Sequence, residues 1–275
     1  MSEPTFAVAL GGGGARGLAH IVLLEAFDEL GVRPVALAGT SMGAVVGAAY
    51  AAGMRARDMR AYSLAMLKDR STLMAAVVEA RVGRLADLVS QLGNPLLLDP
   101  ERLLDRIWPD TVPDRFEDLS IPFQVCATDF QARTEIVFAA GPLLPAVAAS
   151  MAIPGLARPL KLGERLLVDG GATNPLPFDH LIGKADVLVA VDVTGGPTPD
   201  RARAPTAFDA LFGSLQIMQA TLVEAKLKIY RPQVLVRPQV DAFRILDFFE
   251  ARGIFLASEP AKDELKREIA RHLGG

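Results

Sequence analysis

Gly39-Thr40-Ser41-Met42-Gly43 is the segment of this chain best equipped for chemistry. It reads G-x-S-x-G between a short apolar run and a run of small residues, the setting of a serine pushed out on a sharp strand-to-helix turn. Glycines two before and two after the serine let strand and helix approach closely. A helix N-terminus at Met42 would favour negative charge developing beside Ser41. The same residues also read as an N-cap serine on an ordinary connection. For catalysis a serine needs a neighbouring base to take its proton.

Two further stretches could complete such a site. The first is Gly11 to Gly14, continued by Ala15-Arg16-Gly17. Gly12, Gly14 and Gly17 fit G-x-G-x-x-G, but a dinucleotide site wants an acidic residue about 20 positions on, where Leu37-Ala38-Gly39 stands. A Walker A loop would need Lys-Ser/Thr after Gly17, and Leu18-Ala19 follows. A third reading is an oxyanion hole, in which glycines turn backbone N–H groups toward one point; plain close packing of the backbone reads equally from the same glycines. The second stretch is Asp169-Gly170-Gly171, closing the apolar run Arg165 to Val168. At the C-terminal end of a strand in a parallel sheet, Asp169 would face the active-site crevice. Asp-Gly is equally common turn chemistry. The three histidines read as structural: His20 on the first helix, His180 in an amphipathic Phe-Asp-His-Leu stretch, and His272 in the last turn of the terminal helix.

The elements that must carry these residues follow from pattern. Thr5 to Leu10 and Val35 to Ala38 read as buried strands, Leu18 to Leu30 and Gly43 to Ala52 as helices, the opening of a parallel α/β sheet. Residues 55–108 read as mostly helical, with Leu64, Met66, Leu67, Leu73, Met74, Val77 and Val78 as candidates for an acyl pocket or cap. Strands are expected at Phe123 to Ala127, Glu135 to Phe138, Arg165 to Val168, Val187 to Val193 and Gln233 to Val236. Helices are expected at Leu143 to Ser150, Phe208 to Lys228 and from Ile245 to the end. Pro34 to Met54 lacks charge and places Gly39, Gly43 and Gly47 at GxxxG spacing. It is long enough to span a bilayer, but its few large apolar side chains favour a buried strand, turn and helix.

With 275 residues, 51% of them hydrophobic, and a formal charge of −3, the chain is globular and offers no basic footprint for nucleic acid. A single cysteine, Cys126, rules out an internal disulfide and fits a reducing compartment. The scattered cysteine and histidines show no zinc-ligand spacing. The N-terminus lacks the basic and apolar regions of a signal peptide. A cytoplasmic protein, peripheral at the membrane at most, is the expectation.

Read together, these stretches resemble the patatin-like phospholipase family, particularly its small bacterial members. The resemblance rests on Ala9 to Gly17, Gly39 to Gly43, Ala149-Ser-Met-Ala-Ile-Pro-Gly155, Leu167-Val-Asp-Gly-Gly171 and Asn174-Pro-Leu-Pro177, with a weaker echo at Leu246-Asp-Phe-Phe249. It implies an α/β fold of three layers, α/β/α, with a mostly parallel central sheet. It implies one domain over residues 1–275 with a helical insertion at about 55–108. It further implies a Ser–Asp dyad without histidine, with Ser41 as nucleophile, Asp169 as base, and Gly12, Gly13, Gly14 and Arg16 as the oxyanion loop. Gly39, Thr40, Met42 and Gly43 complete the nucleophile elbow. The implied substrates are acyl esters of lipids. The apolar 55–108 stretch suits a cap that could meet a membrane surface transiently, and no cofactor or metal is expected.

Overall fold

The computed structural model of the chain describes residues 3–69, 75, 77–80, 97–195 and 206–274. An eight-stranded sheet forms its centre. In chain order the strands are β1 (Phe6–Leu10), β2 (Ala36–Thr40), β3 (Phe123–Asp129), β4 (Thr134–Phe138), β5 (Leu160–Leu162), β6 (Arg165–Asp169), β7 (Val187–Val191) and β8 (Val234–Val236). The helices are α1 (Ala19–Leu30), α2 (Met42–Ala51), α3 (Ala56–Lys68), α4 (Pro100–Ile107), α5 (Leu143–Ser150), α6 (Ala207–Ile229) and α7 (Ala251–His272). Strand order is β5-β6-β3-β2-β1-β7-β8, with β4 on the far edge of β3. The run β3-β2-β1-β7-β8 is parallel, whereas β4, β5 and β6 join antiparallel.

Alternation along the central strands builds the three layers, since successive side chains leave opposite faces. Phe6, Val8 and Leu10 point into a large core with α1, α2 and α7. Ala7 and Ala9, with Ala38 and Ala190, point the other way, where alanines let Phe178, Leu181 and Val223 of α6 pack close to the sheet. The charge-free run at 34–54 resolves into β2, a turn and α2. Among the described residues no helix is long and apolar enough to cross a membrane.

Two expectations need correction. Asp169 does not end a parallel strand, because β6 runs antiparallel to β3. A short hairpin partner, β5, turns the chain back through Gly163 at φ 60°; its three residues include Lys161 and carry too little pattern to be foreseen. The terminal helix begins at Ala251, not Ile245. The carbonyl of Ile245 instead accepts the Ala15 N–H at 2.8 Å, and Asp247 Oδ2 accepts the Arg244 N–H at 2.7 Å, so this segment is held as a turn. Of the residues expected to form an acyl pocket or cap, Leu67 is buried in the main core and Leu64 and Met66 pack against it; Leu73 and Met74 lie outside the described residues.

Candidate active site

The sheet brings Ser41 and Asp169 together end to end. On one edge of β3, β2 pairs as far as Thr40 opposite Cys126. On that same edge β6 takes over with Asp169 opposite Ala127. The two strands run toward each other, so their C-terminal ends meet between adjacent residues of β3.

Ser41 sits at φ 54° and ψ −122°, a strained backbone for a residue with a side chain. It occupies the N-cap position of α2, yet its hydroxyl caps nothing. The capping reading therefore fails in its chemistry, and the hydroxyl is left free. The strained peptide is clamped by Ser150 at the end of α5. Ser150 Oγ accepts the Ser41 N–H at 2.8 Å and donates to the Cys126 carbonyl at 2.6 Å. Thr40 Oγ1 donates to the Asn174 carbonyl at 2.8 Å.

Asp169 is buried, and its two oxygens divide the two expectations between them. Oδ1 accepts the Gly171 N–H at 2.7 Å, the Asx turn that Asp-Gly suggests. Oδ2 is buried with no hydrogen-bond partner. Burial pushes the carboxyl up to about 6, against smaller opposing pulls from the Ser41 hydroxyl and the Gly171 N–H. The hydroxyl thus acts on the carboxyl, but the two do not meet hydrogen-bonding geometry.

The glycine loop lies beside the serine. A Cβ on Gly12 would stand 3.4 Å from Ser41 Cβ, and one on Gly14 would stand 3.0 Å from the Ile245 carbonyl carbon. Not every N–H is available, however. Gly11 donates to Val191, Gly12 to Pro175 at 2.8 Å and Ala15 to Ile245. Gly12 is thereby corrected from donor to spacer: its lack of a side chain matters, and its N–H is occupied. The N–H groups of Gly13, Gly14 and Met42 meet no acceptor among the described residues. Arg16 is only 1% exposed, and its Nε donates to the Val193 carbonyl at 3.1 Å. Desolvation lowers its pKa to about 10, opposed by Asp241 and Asp192. Its guanidinium thus braces the loop from within.

A cavity of about 430 Å³ opens over the pair. Gly13, Gly14, Ser41 and Asp169 form its polar floor; Leu215, Met218 and Leu222 of α6 are among its apolar walls. Among the described residues its apolar wall comes mainly from α6, and none of 55–108 lines it. The sequence signal was present: Ala210 to Val223 carries no charged residue, although Leu211 is 51% and Ile217 69% exposed.

Two of the three histidines are engaged elsewhere. His20 is buried, and its Nε2–H donates to the Gly11 carbonyl at 2.7 Å; desolvation lowers its pKa to about 4, which keeps it neutral. His180 pairs with Glu135 at 2.7 Å, which raises its pKa. Cys126, Glu135 and His180 place their ligand-type atoms within 4.8 Å of one another. That cluster was invisible in the sequence, where the three are far apart. Within it His180 and Glu135 are already hydrogen-bonded to each other.

The patatin-like phospholipase family model matches residues 8–182, spanning all three motifs. An uncharacterised NTE family protein of Mycobacterium tuberculosis is 40% identical over 211 residues, covering 75% of this chain and 54% of the relative. Human patatin-like phospholipase domain-containing protein 6 is 33% identical over 214 residues, covering 76% of this chain but 14% of that protein. The chain therefore spans about half the length of its mycobacterial relative. Among solved structures, VipD from Legionella pneumophila superposes with a TM-score of 0.52 at 16% identity, over 97% of this chain and 67% of VipD, a likeness of fold. With a matching family model across more than half its length, this chain belongs to the patatin-like phospholipase family.

Proposed function

We propose that this chain is a serine acyl hydrolase that cleaves carboxylic ester bonds of lipids, phospholipid or lysophospholipid, through a Ser41–Asp169 dyad. The observation that carries the reading is the buried Asp169 Oδ2, without a partner, beside a serine whose strained elbow leaves its hydroxyl free. As Ser41 Oγ attacks the ester carbonyl, Asp169 takes its proton. The N–H groups of Gly13 and Gly14 hold the tetrahedral oxyanion, each such donor being worth about 2.7–4 kcal/mol in serine enzymes. Asp169 then protonates the leaving alcohol, and an acyl group remains on Ser41. Water, deprotonated by the same carboxylate, attacks that acyl group and releases the fatty acid. The apolar wall of α6 suits an acyl chain better than a polar substrate.

A fluorophosphonate probe tests the reading. It should label the wild-type chain on Ser41, and the chain should hydrolyse p-nitrophenyl acyl esters and release fatty acid from phosphatidylcholine or lysophosphatidylcholine. Absence of both labelling and hydrolysis would leave a non-catalytic binding role on the same scaffold.

The burial of Asp169 also fixes a pH dependence. The base must be ionised, and its pKa stands at about 6. kcat/KM on a soluble ester should fall tenfold per pH unit below about 6 and reach a plateau above 7. A plateau extending down to pH 4.5 would show that a carboxyl with an ordinary pKa, or none, is the base.

A further inference from the structure

We propose that Asn174 is a positioning residue that holds the Ser41 elbow and the glycine loop in register with Asp169. The proposal rests on the acyl-hydrolase reading. Its starting point is that one short segment touches all three motifs. The strand carrying Asp169 continues into Gly170, whose carbonyl accepts the N–H of Asn174 at 2.8 Å. The Asn174 carbonyl accepts Thr40 Oγ1 at 2.8 Å, one residue from Ser41. The next carbonyl, Pro175, accepts the Gly12 N–H, also at 2.8 Å. Two consecutive carbonyls therefore set where the elbow and the loop stand relative to the carboxylate.

What fixes that segment is the Asn174 side chain, which is fully buried. Nδ2 donates to Glu135 Oε1 at 2.8 Å and to Asp179 Oδ1 at 3.0 Å. Each acceptor is anchored in turn. Glu135 on β4 receives His180 Nε2 at 2.7 Å, and Asp179 receives Lys226 Nζ of α6 at 2.7 Å. Although burial works against it, His180 and Asn174 hold the Glu135 carboxyl down to about 2, so it is an anion at working pH. A carboxamide suits this place because it offers two N–H donors from one atom without adding a charge. Its orientation is also forced: a flipped amide would turn Oδ1 against two carboxylates. In the observed orientation Oδ1 has no partner. None of these atoms touches the reacting bond; the effect passes through the backbone.

Asn174→Asp keeps the shape, removes both donors and sets a third carboxylate against Glu135 and Asp179. In the folded variant, kcat for a p-nitrophenyl ester should fall about 100-fold with KM changed less than threefold, the scale expected of a displacement near 1 Å. Amide hydrogen exchange of the full chain should accelerate in peptides covering 11–18 and 39–45. Adding Glu135→Gln reverses donor and acceptor at the same charge, and this double variant should regain at least tenfold in kcat. An Asn174→Asp chain with kcat within threefold of wild type and unchanged exchange overturns the proposal. So does a loss that Glu135→Gln fails to rescue. Should Asn174→Asp not fold, Glu135→Gln alone is expected to lower kcat about tenfold and accelerate the same exchange; no change in either overturns the proposal. Exchange is read whether or not an ester is cleaved. Faster exchange in a chain without hydrolase activity would sink the hydrolase reading and keep Asn174 as the register pin.

Discussion

Asp169→Asn is expected to lower kcat on a p-nitrophenyl ester by about 10⁴-fold while making the folded chain more stable at pH 7.5. The catalytic half follows from the dyad. With Oδ2 replaced by an amide or a neutral oxygen, nothing beside Ser41 can take its proton, and losing the catalytic aspartate costs about four orders of magnitude in serine enzymes of the triad type. Ser41→Ala should lose as much or more, and should also abolish fluorophosphonate labelling. The stability half follows from the same burial. The carboxyl ionises at about 6 in the folded chain, against 3.8 as its ordinary value. Between those values the folded state binds more protons than the unfolded one, so stability falls as pH rises through that window. By pH 7.5 the accumulated cost is on the order of 3 kcal/mol. Asparagine removes the cost and can still accept the Gly171 N–H. Urea denaturation should therefore show Asp169→Asn ahead of wild type at pH 7.5, with the gap closing by pH 4. A variant less stable than wild type at pH 7.5 would mean that Asp169 is not a desolvated carboxylate. Near-normal activity in Asp169→Asn, with loss in His180→Ala, would move the base to the histidine.

The geometry of this candidate site was legible where it depends on backbone approach, because close approach leaves glycines behind as letters. The elbow, the glycine loop and Asp-Gly-Gly are all of that kind. The strand-helix order of the first half was legible for a related reason: β1, β2 and β7 are buried on both faces and read as continuous apolar runs. What stayed hidden depends on partners far apart in sequence. Ser150 holds the Ser41 N–H across 109 residues, and Asn174 holds Thr40 across 134. Neither bond leaves a local period. Asp169 was placed at a strand end correctly, but its direction of approach depended on β5, which is too short to read. The occupied N–H of Gly12 is the same kind of miss: a glycine shows that something comes close, and not whether that something is a substrate or the carbonyl of Pro175. The apolar wall supplied by α6 is a different case. Leu and Met density marked 55–108, but density also marks core, and Leu67 is core. The sharper signal was a helix that stays charge-free while its side chains remain exposed, since a surface helix in water normally carries charge on its outer face.

Close approach also sets the second large effect. A Cβ on Gly43 would overlap the Leu10 carbonyl, standing 2.6 Å from its carbon and 2.7 Å from the Gly11 oxygen. These are backbone atoms at the end of β1 and the start of the glycine loop, and no rotamer can move them aside. Gly43→Ala must therefore push the first turn of α2 away from β1, carrying Ser41 away from Gly13, Gly14 and Asp169 together. The strain should cost about 1–3 kcal/mol of stability, as overpacking does elsewhere. Activity should fall more steeply, by about 100-fold or more, because both halves of the site lose their geometry at once. Gly213→Ala in α6 is the matched control. Its added Cβ meets nothing within 4 Å, so helix propensity alone should leave stability unchanged or raise it by about 0.5–1 kcal/mol. Thermal unfolding and kcat measured on the pair separate the two cases. If Gly43→Ala behaved like Gly213→Ala in both, the contact between α2 and the end of β1 would not be what holds Ser41 in place. The strained elbow would then have to be maintained by the Ser150 clamp alone.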